Sequence, residues 1–410
     1  VPGKKADCKN LKGGWGALLA RRKAVRSAGF FLLVLMVWGT FVPASSTLAA
    51  VPLFAENTQT VPLRGRVIAV ENLEPEEAVR NFVKQEQLAT VEITRGPYRG
   101  QQFRLLNSLM GHPLFDLYLT QGREVILWGE VDEAGKLQQV YLQDFARDTY
   151  LYLLAGMFVL ALLLVGKRKG LITVATLAVT VLSIFFILLP MLMAGHSPIG
   201  ITILVAAGVT LVTMVFVGGL HWKTAAAVTG TVGGVLVAGL LSLLVGSAVR
   251  LTGFSSEEAQ MLLYMEGGPL DVRGLLFAGI IIGSLGAVMD VAMSIAAAMH
   301  EVHCANPRLC FRELFRSAMN VGRDVMGTMA NTLILAYVGS TLPLLLLFMG
   351  YRMPWVSIIN SDLIATEVVR ALAGSIGLVA TIPLTALTAG LLVFRSKGRE
   401  MPGQSVERTI

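Results

Sequence analysis

Residues 274–299 read GLLFAGIIIGSLGAVMDVAMSIAAAM, twenty-six positions with a single ionisable side chain, Asp290. At about 1.5 Å of rise per residue, a helix of this length more than crosses the ~30 Å hydrocarbon core of a bilayer. Its glycines fit as well, because glycine is commoner in membrane helices than in soluble ones. The run predicts a transmembrane helix. Runs of similar length and composition recur at 29–50, 149–166, 171–194, 199–220, 224–249, 325–349 and 371–394, so about eight spans are expected.

The whole chain agrees with that reading. Hydrophobic residues make up 54% and charged residues 15%, with a mean hydropathy of +0.66. A soluble domain carries about 25% charged residues. Composition therefore excludes a soluble cytosolic protein, a disordered chain and a disulfide scaffold. The net charge of +7 raises nucleic acid as a partner, but the basic residues cluster at span ends, as at Lys167-Arg168-Lys169. Cations placed there anchor loops against anionic lipid, and no aromatic-interleaved basic face accompanies them, so the expected partner is the bilayer and not nucleic acid.

Charge also orients the spans. With a basic N-terminus (1–28) inside, the inner segments hold twenty Lys and Arg and the short outer loops hold four, which is the asymmetry the positive-inside rule requires. Both termini, including a tail at 395–410, are expected in the cytoplasm and residues 51–148 outside. The first apolar run ends in Thr47-Leu48-Ala49, which resembles a signal-peptidase site; an uncleaved anchor is the favoured reading, and the topology downstream is the same either way. Cys8, Cys304 and Cys310 all fall on the expected inner side, so no disulfide framework is anticipated.

Residues 51–148 break with the rest. Period-two alternation at 63–70, 88–94, 101–106, 123–131 and 137–142 predicts five half-buried strands, and Gly96-Pro97-Tyr98-Arg99-Gly100 predicts a turn between two of them. The stretch 73–87, with Pro75 near its start, is read as helix. The expected product is a small extracytoplasmic antiparallel β-barrel of OB or SH3-like type, acting as a spacer or docking module, ahead of a seven-helix domain at 149–394.

Within the membrane half, Gly230, Gly234 and Gly239 have the small-residue spacing that lets helices approach closely. The run around Asp290 carries more. Asp290 is nine residues from Met299, about 14 Å along the helix and so near mid-membrane. At 100° per residue Gly283, Gly286, Ala287, Asp290, Ser294, Ala297 and Glu301 share one face. A carboxylate in hydrocarbon costs several kcal/mol, so this stripe is expected to face a bundle interior or a wet cavity. The next span offers Asn320, Asp324, Gly327, Thr328 and Asn331 on one face, placing Thr328 and Asn331 at depths comparable with Asp290, and Glu301 is expected near Arg323. Two readings of Asp290 stay open: a coupling group, or structural glue bonded to Asn331.

Asn360-Ser361-Asp362 is a helix-start signature, and Glu367 and Arg370, one turn apart, are outer-face candidates expected to form a salt bridge. Ser255-Ser256-Glu257-Glu258 opens a short outer helix. Catalytic signatures are not found: no phosphate-binding loop, no Gly-x-Ser-x-Gly, no His-Glu-x-x-His and no second deep carboxylate for an aspartyl protease. The chain is expected not to be an enzyme and to need no cofactor. His300, His303, Cys304 and Cys310 are weak candidates for a metal, since their spacing matches no familiar site.

At Gly283-Ser-Leu-Gly-Ala-Val-Met-Asp-Val-Ala-Met-Ser294 with Glu301, at Gly322-Arg-Asp-Val-Met-Gly-Thr-Met-Ala-Asn-Thr332 and at Glu367-Val-Val-Arg-Ala-Leu-Ala-Gly-Ser-Ile-Gly377, the chain resembles the YibE/F-like family of bacterial multi-pass membrane proteins, from about residue 60 to 394. That resemblance implies a fold and a location in the bacterial inner membrane but no substrate. The order helix, outer domain, membrane bundle also looks like half of an RND or SecD/SecF-type permease, an analogy of architecture alone. Two functions are carried forward: a transporter or ion-coupled permease of unknown substrate working through Asp290, alone or with a second copy or membrane subunit, or a scaffold whose outer domain docks a partner.

Overall fold

Strands form first along the chain, where apolar and polar residues alternate. The computed structural model describes residues 59–75, 82–112, 116–132, 135–264 and 270–399. The basic N-terminus, Cys8, the first apolar run and the tail beyond 399 lie outside them. The chain divides into two compact units, one within residues 44–161 and the other within 162–410.

In the first unit β1 (Gln59–Leu73), β2 (Gln85–Ile93), β3 (Gln102–Leu109), β4 (Glu124–Val131) and β5 (Leu137–Phe145) form one antiparallel sheet in the order β3-β2-β1-β4-β5. Burial alternates residue by residue along β2 and β4, as period two requires. The buried set, with Val67, Val91, Ile93, Val125 and Leu127 at its centre, makes one core. Gly96 and Gly100 close the β2–β3 turn at φ of +93° and +89°, a conformation that penalises any Cβ. β3 and β5 are the two edges; no ladder joins them among the described residues, so the sheet is a half-barrel.

The helix expected at 73–87 is not what its ends form. Leu73 pairs with Glu86 and Asn72 with Gln87, extending β1 and β2 toward each other, and 76–81 lie outside the described residues. Tertiary bonding overrides local propensity here. Gln87, only 3% exposed, donates to Asn72 Oδ1 at 3.0 Å and accepts from the Leu119 N–H at 2.9 Å, which fixes its side chain inside the sheet.

Arg64 on β1 is 8% exposed and gathers the far end of the unit. It donates to Glu124 Oε2 (2.5 and 3.0 Å), to Asp148 Oδ2 (2.6 Å) and to Thr149 Oγ1 (2.7 Å). Asp148 and Thr149 open α1 (Asp148–Gly166), so the guanidinium ties the helix start to the sheet. The Glu124 carboxyl, hydrogen-bonded by Arg64 and then by Arg66, is held below the usual carboxylate range.

The second unit is helical. It contains α2 (Arg168–Met193, with a π turn at Ile184–Leu188 ahead of Pro190), α3 (Pro198–Gly218), α4 (Trp222–Ala248), α5 (Glu257–Met261), α6 (Val272–Ala305), α7 (Phe311–Ser340), α8 (Leu342–Gly350), α9 (Trp355–Ile359) and α10 (Asp362–Arg399). Among the described residues six helices are long and apolar enough to cross a membrane, and α7 with α8 make a seventh candidate bent by 58°. That bend corrects the unbroken span expected at 325–349. Pro343 has no N–H for the carbonyl four residues back, and its ring crowds that carbonyl, so the helix ends at Ser340 and restarts. α7 also begins earlier than expected, at Phe311, with Cys310 and Glu313 forming its capping box.

α4 and α10 are the closest pair. A Cβ on Gly230 would collide with Thr385 Oγ1, and one on Gly234 with Thr381 Oγ1, while one on Gly377 would lie 2.7 Å from both Ala238 Cβ and the Gly234 carbonyl. Gly239 instead faces Ile281 of α6. The glycine spacing thus marks helix packing. α6 lies at the centre, burying Ile281, Leu285, Val288, Ala292 and Ile295 against residues of α3, α4, α7 and α10.

Candidate functional site

The buried face of α6 leaves its opposite face free. Gly279, Gly283, Gly286, Asp290, Ser294 and Glu301 are all exposed, in one line along the helix. The shared face expected from 100° spacing is therefore present, but it points away from the bundle interior, so of the two surroundings expected for it, bundle interior or wet cavity, the first is not formed by this chain. Membrane helices are apolar on every side, so the sequence fixes which residues align and not which alignment is covered.

α7 runs beside α6. Gly322 faces Ile295, with a Cβ there 3.3 Å from the Ile295 side chain, and Gly283 faces the Tyr337 hydroxyl, at 3.0 Å by the same construction. Counting five residues from the first contact and seven from the second puts Asp290 level with residues 327–330. Thr328 is thus at its depth. Yet Asn320, Asp324, Thr328 and Asn331 are exposed on the side of α7 away from Leu314, Ala318 and Gly322. Thr328 donates to the Val325 carbonyl at 3.0 Å, within its own helix. Arg323 donates to Asn320 Oδ1 at 3.3 Å and not to Glu301. No hydrogen bond joins Asp290 to Asn331, so the glue reading has no contact behind it.

The α6 line ends in a cavity. A space of about 460 Å³ opens where Gly279 meets α5, α8 and the first turns of α10. Its walls include Glu258, Leu262, Gly279, Leu344, Glu367 and Arg370. Glu367 and Arg370 pair as expected, Nη1 to Oε1 at 3.3 Å, with side chains 22% and 32% exposed. They line this cavity and do not stand free on an outer surface. Glu367 Oε2 and Arg370 Nε are buried without a hydrogen-bond partner among the described residues. Tyr337 lies within electrostatic range of both. Its hydroxyl beside Gly283 places it between the pair and the stripe.

Neighbouring charges are spoken for. Asp271 caps α6 through the Gly274 N–H at 2.8 Å. Asp362 accepts from Thr252 Oγ1 at 2.7 Å, holding the α4–α5 loop to the start of α10, where Ser361 Oγ accepts from the Ile364 N–H. Arg273 turns to the Gly246 carbonyl at 3.2 Å and to the Phe277 ring. Ser256 caps α5 through the Ala259 N–H at 3.1 Å. Gly253, at φ of +86°, lets that loop pass against the backbone of Arg273.

The metal candidates do not assemble: no group of three His, Cys, Asp or Glu with metal-holding geometry exists among the described residues. Cys304 Sγ lies 3.9 Å from His300 Nε2, His300 packs edge-on to Trp222, and Cys310 caps α7.

A helical bundle with several membrane-length apolar helices and a polar line along its central helix defines a multi-pass membrane protein. The chain belongs to the family of the YibE/F-like protein, whose sequence model matches residues 154–395. The match covers the helices and leaves the sheet outside it. No curated relative and no solved structure matches the chain.

Proposed function

We propose that the protein is an ion-coupled permease of the bacterial inner membrane, with the sheet outside the cell and Asp290 as the group that takes up and releases the coupling ion. The observation that carries the reading is a lone carboxyl at mid-helix, without a hydrogen bond among the described residues, on a line of glycines that opens at Gly279 into a cavity bearing Glu258, Glu367 and Arg370. Translocon-scale costs for Asp at a helix centre are about 2.5–3.5 kcal/mol. That cost favours a wetted Asp290, or one covered by a second copy or another membrane subunit, over one left against lipid. Glycines leave room for such a covering helix or for water, and Glu301 and Ser294 continue the line to the other end of α6.

Dicyclohexylcarbodiimide tests this, because it modifies protonated carboxyls within membranes. In reconstituted vesicles assayed against a panel of ions, it is expected to stop flux and to be recovered on Asp290. Undiminished flux with Asp290 modified would refute the reading.

A second reading is supported by the sheet. Trp128 and Tyr141 are directly opposite on β4 and β5 and are 38% and 48% exposed. Exposed aromatic pairs suit docking, and they favour a scaffold whose outer domain holds a partner. Capture of a membrane partner that is lost in Trp128→Ala, with no flux of any ion, would make this the function.

A further inference from the structure

The cavity at the end of the α6 line has a charge and a shape of its own. Two carboxylates, Glu258 and Glu367, stand in its wall against one guanidinium, Arg370. Glu258 is hydrogen-bonded by its own backbone N–H and by Ser256, which hold its carboxyl below the ordinary range and so charged at neutral pH. The adjacent Arg273, Asp271 and Asp362 bond to neutral groups on Gly246, Gly274 and Thr252 and keep their charges, one positive and two negative, so they leave the surroundings net negative as well. The single Glu367–Arg370 contact leaves one carboxylate oxygen and one guanidinium nitrogen without partners. The remaining wall is mostly leucine, alanine, valine and glycine, with the hydroxyl residues Ser255, Ser256 and Thr341 among them. A space of about 460 Å³ falls in the range of small-molecule sites, roughly 300–1,000 Å³.

We propose that this cavity binds an amphipathic organic cation of single positive charge, its apolar body against Leu262 and Leu344 and its cationic centre facing Glu367 and Glu258. A net negative wall repels anions of the same size. A metal cation would find two carboxylates and no third His, Cys, Asp or Glu assembled with them among the described residues. The proposal names a substrate class for the permease and rests on that reading for translocation only; binding stands without it. The cationic group can belong to a free solute or to the ammonium of a lipid headgroup.

The test uses the full chain in detergent with tetraphenylphosphonium as probe and tetraphenylborate as its isosteric anion. Saturable binding of one phosphonium per chain is expected, with the borate weaker by about tenfold or more. Glu367→Gln is expected to weaken the phosphonium by about tenfold. Glu258→Gln, on an exposed residue whose change leaves the bundle intact, is expected to weaken it in the same direction. Equal binding to the wild type and both variants, or preference for the borate, overturns the proposal. Asp290→Asn is expected to bind phosphonium as the wild type does. Binding without transport by the wild type would remove the permease reading and leave the site standing; ion flux without binding would do the reverse. In nanodiscs of phosphatidylethanolamine or phosphatidylcholine, phosphonium binding weaker than in detergent supports the site with a lipid ammonium as its source, and binding equal to that in detergent supports a free solute.

Discussion

Replacing Gly234 by alanine adds one carbon where α4 and α10 touch. The new Cβ would collide with Thr381 Oγ1 and sit 2.8 Å from the Gly377 carbonyl and 3.1 Å from Thr381 Cβ. Rotating Thr381 would relieve the first contact and break its 2.9 Å hydrogen bond to that same carbonyl, a loss of about 1 kcal/mol. The carbonyl itself is backbone and cannot rotate, so the helices must separate. Overpacking of this kind costs about 1–3 kcal/mol. For a domain of this size that lowers the melting temperature by roughly 2–12 °C. Gly279→Ala and Gly286→Ala are the internal controls, since nothing lies within 4 Å of a Cβ at either. Alanine there gains helix propensity of up to about 1 kcal/mol. Thermal unfolding of the purified chain in one detergent reads all three. A Gly234→Ala melt equal to wild type, or a larger loss at Gly286→Ala, would refute the described α4–α10 packing.

Three further predictions concern the sheet and the topology. Arg64→Ala removes the ion pairs that tie α1 to the sheet; because Glu124 and Asp148 are 32% and 39% exposed, the cost is discounted to about 2–3 kcal/mol, read as a lower denaturation midpoint. Glu124 titrates lower folded than unfolded, so its contribution is complete above about pH 4.5 and is lost as the pH falls through its depressed value; Glu124→Gln should flatten the pH dependence of stability in that window, and an unchanged slope would contradict it. The proposed topology, sheet outside the cell, is tested with an impermeant thiol reagent on intact cells, which should label a cysteine placed at Gly135 and miss Cys304 and Cys310; strong labelling of Cys304 would reverse it.

The strands and most helices are legible in the sequence because burial imposes periods of two and of unbroken apolarity, and both survive any tertiary arrangement. Glu367 with Arg370 is legible for the same local reason. The β1–β2 extension is not, since Gln87 reads as a helix-tolerant polar residue until Asn72 and Leu119 are seen around it. Nor is the Arg64 network, whose partners lie 60 and 84 residues away. Pro343 was the available signal for the break after Ser340. The outward aim of the Asp290 stripe has no local signature, because the opposite face, with Ile281, Leu285, Val288, Ala292 and Ile295, is as apolar as a surface that meets lipid. The cavity draws on α5, α6, α8 and α10, and only their packing reveals that Glu258 and Glu367 share it.

A permease coupled through Asp290 requires that carboxyl to exchange a proton during the transport cycle. Asn keeps the size and hydrogen bonding of a protonated Asp but cannot exchange a proton. Flux and thermal stability of wild type and Asp290→Asn, reconstituted side by side, decide the matter. Coupling through Asp290 predicts a melt within a degree or two of wild type and a flux reduced to the level of empty vesicles. Wild-type flux through Asp290→Asn would contradict it, whatever species is carried.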